Sequence, residues 1–413
     1  MRTVVARPPA TLLLLAAAGL AAAALAGCGK GGSEQLSGGG PGRQLAPVAA
    51  QGAVSVATRN TTRLGGADVA TDAAAVARAV YPGLTVATRP LVAVLVNERD
   101  WLPALAASVL ASAPTGAPIL FSEGDKLPAV TRQTLEAMHP LGAPALGGAQ
   151  VIRIGTAAAV PDGYLTRSVP VESPTASAAD IQQLAQTLGA GAPHAVIVLP
   201  ADGAPALLMP AAGLAAVSGA PLLFVTPTRL PAATASVLGT LHKPSIYVID
   251  ATAVGARTLT ALGKLGSVKT ITSGAPAPGG EAAAENAIEI ARYTNGNFGW
   301  GVKEPGHGLV FANASRPLDG PASALLSSTG DYGPLLLLQS ATQVPLKLAG
   351  YLSDIQPAYD SPQFPPVRGA YNRGWLIGNE EAISAITQAE LDSVLEIRPQ
   401  VHTSEEPSVS QVE

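Results

Sequence analysis

The sequence predicts an α/β fold of three tandem units, each a parallel sheet flanked by helices, packed together as a compact trio. Three observations carry this expectation. Short apolar, β-branched runs alternate with longer helical stretches, the grammar of parallel strands joined by crossover helices. The same order of signals returns three times, and self-similarity at a fixed period marks a repeat architecture. Prolines set the period: Pro118 and Pro221, like Pro128 and Pro231, lie 103 residues apart, and Pro334 and Pro345 follow 113 and 114 residues further on.

The first unit shows the pattern most plainly. Residues 91–96 (LVAVLV) are a buried strand, and Asn97, Glu98, Arg99 and Asp100 form the polar turn after it. A helix follows through Leu110, with Asp100 placed to cap it and Pro103 in its first turn, where a missing N–H costs nothing. Gly116-Ala117-Pro118 ends that helix, residues 119–121 are a second strand, and Leu127-Pro128 opens another helix through Leu135. The second unit repeats the order with residues 195–199, Asp202, Pro205-Ala206-Leu207, Gly219-Ala220-Pro221, residues 222–224 and Leu230-Pro231. The third has residues 309–311, Asp319, Pro321-Ala322, Gly333-Pro334, residues 335–338 and Val344-Pro345. Later strands are expected at 151–154, 246–249 and 375–377, each followed by a short helix at 157–160, 251–254 and 380–383. Runs around Arg63, Arg167, Ile271 and Arg398 recur like a shared boundary strand, and helices follow the first three at 72–80, 178–188 and 281–293. The proline-rich segment 354–371 is a surface insertion in unit three. These are Rossmann-like units, placed at 53–160, 161–272 and 273–398, with a disordered tail at 399–413.

Residues 1–27 have the form of a targeting segment: Arg2 and Arg7, an apolar stretch from Thr11 to Leu25, then the lipobox Leu25-Ala26-Gly27-Cys28. Small residues at 26 and 27 let a signal peptidase reach the bond, and the Cys28 thiol is the acceptor for a diacylglyceryl group. Cys28 is the single cysteine, so no intrachain disulfide can form. Residues 28–52 are a Gly-, Ser- and Pro-rich tether with a root-mean-square span on the order of 25 Å. The expected location is the outer face of the cytoplasmic membrane, held through lipid on Cys28. The uncharged run 203–228 is long enough to span a bilayer, but Pro205, Pro210 and the Gly219-Ala220-Pro221 break make it a helix followed by a strand.

With 47% hydrophobic and 13% charged residues and a net charge of −4, the chain can bury sizeable cores and lacks a basic footprint for nucleic acid. There is no Gly-x-Ser-x-Gly elbow, His-Glu-x-x-His helix, calcium loop or phosphate-cradling Gly-x-x-x-x-Gly-Lys. His139, His194, His242, His307 and His402 never pair at metal-ligand spacing. No enzyme, metal or cofactor is expected. Ligands of open α/β sheets favour the crevice beyond the strands' carboxyl ends. Those turns hold Asn97, Arg99 and Trp101, then Asp202, then Asn313 and Arg316. Amide, carboxylate and guanidinium groups beside an indole suit a hydroxyl-rich or acidic sugar. Asp100, Asp202 and Asp319 are expected to act as helix caps.

Thr62-Arg63-Leu64-Gly65-Gly66-Ala67-Asp68, the Pro-Ala-Leu helix starts at 103 and 205 and the apolar strands after Gly-Ala-Pro together resemble the cell wall-binding repeat type 2 family, over roughly residues 54–398. That family's modules come in threes. Val69 and Ala70 stand where its Arg-Tyr is usual, and Pro-Ala-Leu replaces its Asp-Ala-Leu. The resemblance implies a lipid-anchored, non-catalytic envelope protein whose partner is cell-wall polysaccharide or a peptidoglycan-linked glycan. The alternatives are a solute-binding lipoprotein serving an importer, which would have two lobes around one cleft, and an envelope protein-interaction module. A wall hydrolase would need a catalytic module for which the repeats leave no room.

Overall fold

The computed structural model describes residues 54–272, 274, 281–296, 298–330, 332–359 and 371–399. The signal segment, Cys28, the tether, most of the 354–371 insertion and the tail beyond Pro399 lie outside them. In chain order, β1 (Val54–Ala57) and β2 (Thr61–Gly65) lead to α1 (Val69–Val80). Then come β3 (Ala93–Asn97), α2 (Trp101–Ala107), β4 (Ile119–Ser122), α3 (Ala129–Met138), β5 (Val151–Ile154) and β6 (Thr166–Val169). The second round is α4 (Pro174–Thr187), β7 (Ala195–Pro200), α5 (Pro205–Leu208), α6 (Ala211–Ser218), β8 (Leu222–Val225), α7 (Ala232–Thr240), β9 (Ser245–Val248), α8 (Ala256–Leu265) and β10 (Ser267–Thr270). The third is α9 (Ala282–Arg292), β11 (Gly308–Asn313), α10 (Asp319–Ser323), β12 (Leu335–Leu338), α11 (Leu346–Asp354), β13 (Ala358–Tyr359), β14 (Arg373–Ile377), α12 (Ala385–Leu395) and β15 (Arg398–Pro399).

Three main sheets result, in the orders β4-β3-β5-β6, β8-β7-β9-β10 and β12-β11-β14-β2-β1, beside a two-stranded sheet of β13 and β15. All pairs are parallel except β1 with β2. The repeat is visible at the level of single bonds. Val94, Ile197 and Val310 each donate a backbone N–H to the carbonyl of Pro118, Pro221 and Pro334, at 2.9, 2.9 and 3.1 Å. The same three residues lie opposite Ile152, Tyr247 and Trp375, which in turn lie opposite Arg167, Lys269 and Thr62. Thr131 and Thr234, both buried, hydrogen-bond from the helix after the second strand to the carbonyls of Phe121 and Phe224. The central strands are apolar on both faces because helices cover both; one large core runs through the meeting of α2, α6 and α10, and a second lies against the third sheet around Phe311, Leu336 and Leu376. Three sheets also replace the two lobes that an importer protein would need.

The order of the third sheet departs from the expected boundary strands. Residues 395–398 supply only β15, which pairs with β13. The fourth place beside β14 is taken by β2, from the opposite end of the chain. Arg63 on β2 is 3% exposed, and its guanidinium donates to Gln388 Oε1 on α12 at 3.1 and 2.9 Å and to the carbonyls of Gly378 and Asn379 at 3.1 and 2.8 Å. Asp392 Oδ1 accepts from the amides of Asn60 and Thr61 at 2.7 and 3.0 Å. Asp68 then caps α1, accepting from the Thr71 amide at 2.8 Å, and α1 packs on β4 of the first sheet. In the same way α4 packs on β8 and α9 on β12, so each boundary strand completes one sheet and the next helix covers its neighbour.

A buried ion cluster sits at this closure. Arg316 donates to Asp319 Oδ2 at 2.8 Å, to the Ala67 carbonyl at 3.1 Å and to Asp72 on α1. Asp72 is fully buried and also accepts the Gly66 amide at 2.6 Å. Burial, with the Asp319 carboxylate beside it, pushes Asp72 up to about 8, and burial pushes Asp319 up to about 6. One partly exposed guanidinium faces two buried carboxyl groups, and burial favours the protonated form of both.

Several local expectations change. The turns at 157–160 and 380–383 are not helical, and only Ala251–Ala253 forms a 3-10 turn. Asp100 occupies the N-cap position of α2 without a side-chain capping bond, α5 is capped at Ala204 rather than Asp202, and Asp319 lies inside α10. Residues 203–228 form α5, α6 and β8, and among the described residues no helix is long and apolar enough to cross a membrane.

Two outcomes follow from the closure. Arg63→Ala leaves Gln388 and two carbonyls without their buried donor, and urea unfolding should show a loss of about 2–4 kcal/mol. The raised Asp72 pKa means that its contribution is fully present below its unfolded value of about 4 and is lost as pH rises through about 8. Stability measured between pH 5 and 9 should therefore fall with rising pH, and Asp72→Asn, which keeps the shape, should flatten that fall; an unchanged slope would mean that another group titrates.

Candidate functional site at the strand ends

The turns beyond the carboxyl ends of β3, β7 and β11 were expected to hold the ligand, and their polar groups prove unequally free. Asn97 closes β3 with its side chain committed inward: Oδ1 accepts the amides of Arg99 and Gly124 at 3.2 and 3.3 Å, and Nδ2 donates to the Gly155 carbonyl at 3.4 Å. Asn313 ends β11 in the same way, donating to the Ala382 carbonyl at 2.9 Å and accepting from the Ser315 amide and hydroxyl at 3.0 and 2.8 Å. Arg316 is spent on the closing cluster. Arg99 is exposed and makes no ion pair among the described residues, while Trp101, at the first position of α2, rests its ring on the core and is only partly exposed. Asp202 is exposed on its turn. Arg99, Trp101 and Asp202 are thus the expected residues left open to solvent.

The register exposes a position that periodicity did not. Gly155, Asp250 and Gly378 each follow the third strand of their sheet by the same offset, and all three have positive φ, at 64°, 57° and 99°. Opposite them stand Asp100, Gly203 and Arg316. A methyl group on Gly155 would meet Asp100 Oδ2 at 2.5 Å, one on Gly203 would meet Asp250 Oδ2 at 3.1 Å, and one on Gly378 would lie 3.7 Å from the Arg316 guanidinium. The first two sheets therefore place a carboxylate at the same point from opposite strands, and burial raises the pKa of both Asp100 and Asp250. The third puts a guanidinium there. Three unlike groups at one repeated point mean that the units do not present three copies of one site. An aspartate standing where two other copies have glycine was the available signal for Asp250. For Asp72, it was a carboxylate within an otherwise apolar helical stripe.

Concave surface lies at the opposite, amino ends of the strands. A cleft of about 540 Å³ beneath the first sheet is lined by Arg132, Glu136, His139, Gln150, Asp162 and Tyr164, among others. One of about 530 Å³ beneath the third includes Arg59, Thr62, Tyr371, Trp375 and Glu396, with Arg59 and Glu396 paired at 2.8 Å. One of about 770 Å³ beneath the second includes His194, Tyr247, Lys269, Asn295 and Phe298. Among the described residues no three His, Cys, Asp or Glu side chains gather closely enough to hold a metal ion.

Comparison with known proteins fits this architecture. Residues 63–165 match the family model of cell wall binding domain 2 (CWB2), a span that opens at Arg63 in β2 and closes just before β6. No curated protein matches the chain in sequence. Among solved structures, Cwp8 and Cwp6 from Clostridium difficile each align with a TM-score of 0.60 at 16% identity. The alignments cover 82% and 83% of this chain and 53% and 51% of theirs, so it spans about half the length of the solved proteins it resembles. The chain thus carries a CWB2 match over residues 63–165 and has an α/β fold similar to that of Cwp8 and Cwp6.

Proposed function

We propose that this chain is a non-catalytic envelope protein that binds cell-wall glycan through three CWB2-type units, held at the outer face of the cytoplasmic membrane by lipid on Cys28. The observation that carries the reading is the match at 63–165 to a family named for cell wall binding, joined to the bond-for-bond register that relates units two and three to the matched one. Boundaries at 53–160, 161–272 and 273–398 describe the units along the sequence, with the boundary strands exchanged between sheets. The exposed Arg99 guanidinium and the edge of the Trp101 indole are the glycan contacts of unit one, and Asp202 is that of unit two. Asn97, Asn313 and Arg316 shape the turns from within.

Anchoring has a direct readout. The mature protein should begin at Cys28, carry a mass increment for acyl chains and partition into detergent, since two or more chains at about 0.8 kcal/mol per buried CH₂ give stable attachment. An unmodified Cys28 in the intact mass would remove the anchor from the account.

Binding is tested with the full chain in detergent and wall polysaccharide purified from its own source. Arg99→Ala and Trp101→Phe should each weaken retention about tenfold, as loss of an interface Arg or Trp commonly does, with stability changed by under about 0.5 kcal/mol for the exposed Arg99. Asp202→Ala should leave stability equally unmoved, because Ala204 and not Asp202 occupies the cap of α5. Folded protein that retains no wall polysaccharide would overturn the reading.

A further inference from the structure

We propose that the cleft beneath the second sheet is a binding site for an anionic sugar, a pyranose carrying a carboxylate or phosphate; as a ligand class this rests on the wall-glycan reading, but the site is separate from the turns at Arg99 and Trp101. The cleft, about 770 Å³, has the size of a small-ligand site. It opens at the amino ends of β7 and β9 beside the edge strand β10, between the loop after α2 and the segment after α9.

Its chemistry is one-sided. Lys269 lies opposite Tyr247 in the strand register, with its Nζ 5.5 Å from the centre of the Tyr247 ring. Phe298 stacks against the ring at 3.8 Å between centroids, and Tyr293 meets it edge-on at 6.0 Å. Asn295 Nδ2 lies 3.3 Å from the Tyr247 hydroxyl oxygen and donates to it, so the phenolic proton is left to donate elsewhere. The His194 imidazole is exposed at the rim. Lys269 has no ion-pair partner among the described residues, and no carboxylate lines the cleft. The equivalent clefts beneath the first and third sheets do contain carboxylates, Glu136 and Asp162 in one and Glu396 in the other.

An ammonium, a phenolic O–H and an imidazole without a competing acid form a donor set, and its complement is a ligand rich in acceptors and negatively charged. Apart from Ser218 and Ser245, the remaining walls, including Pro114, Ala190, Pro193 and Val217, are small and apolar. They suit the C–H face of a sugar ring, while the rigid aromatic stack fixes the position of the hydroxyl. Lys269 supplies the charge and Tyr247 the direction.

The test is a titration of the isotope-labelled full chain in detergent, followed by NMR, with glucuronic acid, glucose 1-phosphate and neutral glucose as separate probes. Amides at residues 190–192, 194, 195, 217–220 and 295 should shift with the charged sugars, and glucose should bind at least about tenfold more weakly, the contribution of a charge-assisted contact. The arm that binds more tightly, carboxylate or phosphate, identifies the anion. Lys269→Gln should lower affinity about tenfold and Lys269→Arg should restore most of it; Tyr247→Phe, which keeps the stack, should cost a smaller factor. Equal binding of glucose, indifference to Lys269→Gln, or shifts confined to residues 97–101 would each overturn the proposal. Wall polysaccharide retained equally by wild type and Lys269→Gln would overturn it while leaving the wall-binding reading intact. Specific uptake of a charged sugar by a protein that retains no wall polysaccharide would support the site and defeat that reading.

Discussion

A parallel strand must be reached by a crossover rather than a tight hairpin, and the chain completes each four-stranded parallel sheet with the stretch that begins a repeat. For the first two sheets that stretch is the next in sequence. After the third, the described chain forms only β15, which pairs with β13, and β2 is brought from the start of the folded region to fill the place beside β14. Because β2 continues into α1, which lies on the first sheet, the same segment that finishes the third sheet covers the first. Arg63 is then buried among carbonyls and Gln388, and Arg316 draws Asp72 and Asp319 together across the seam. Such a buried charge cluster costs desolvation, and what it gives in return is a single way of closing the ring.

That closure decides what is left for binding. Groups at the carboxyl ends of the third sheet are held by the seam, which makes Arg316 and Asn313 structural, and the corresponding turn of the first sheet ties Asn97 inward. At the amino ends the seam takes up Asn60, Thr61 and Asp392 at the third sheet but leaves the second sheet alone. At the second sheet the open edge at β10 carries Lys269 beside a cleft lined by no carboxylate, whereas at the third β1 covers the corresponding edge at β2 and the Arg59–Glu396 pair occupies the cleft beneath it; the first sheet has an open edge at β6, but Glu136 and Asp162 line its cleft. What each cleft offers thus depends on the side chains of its own unit as well as on topology.

Much of the fold was legible in the residues. The prolines gave the period because Pro118, Pro221 and Pro334 precede equivalent strands and accept equivalent bonds, and the β-branched runs were strands because both their faces are covered. The origin of the fourth strand of the third sheet was not legible, since β2 and residues 395–398 have similar local patterns and only contacts across the whole chain choose between them. The caps failed for a related reason. A helix start at Pro205 or near Pro321 can be recognised from sequence, but α5 begins one residue after Ala204 and leaves Asp202 outside its cap, while Asp319 turns to Arg316, whose other partner Asp72 lies far away in the chain. The strand-end turns could be located in advance, but the hydrogen bonds that consume Asn97 and Asn313 could not.

Native-state hydrogen exchange across increasing denaturant tests the closed ring most directly. If β2 is an integral strand, its amides should open with the same free energy as those of β3 and β7, all converging on the global unfolding value. Amides of β2 and α1 that exchange at a much lower free energy, while β3, β7 and β11 stay protected, would show a frayed terminus and contradict the account.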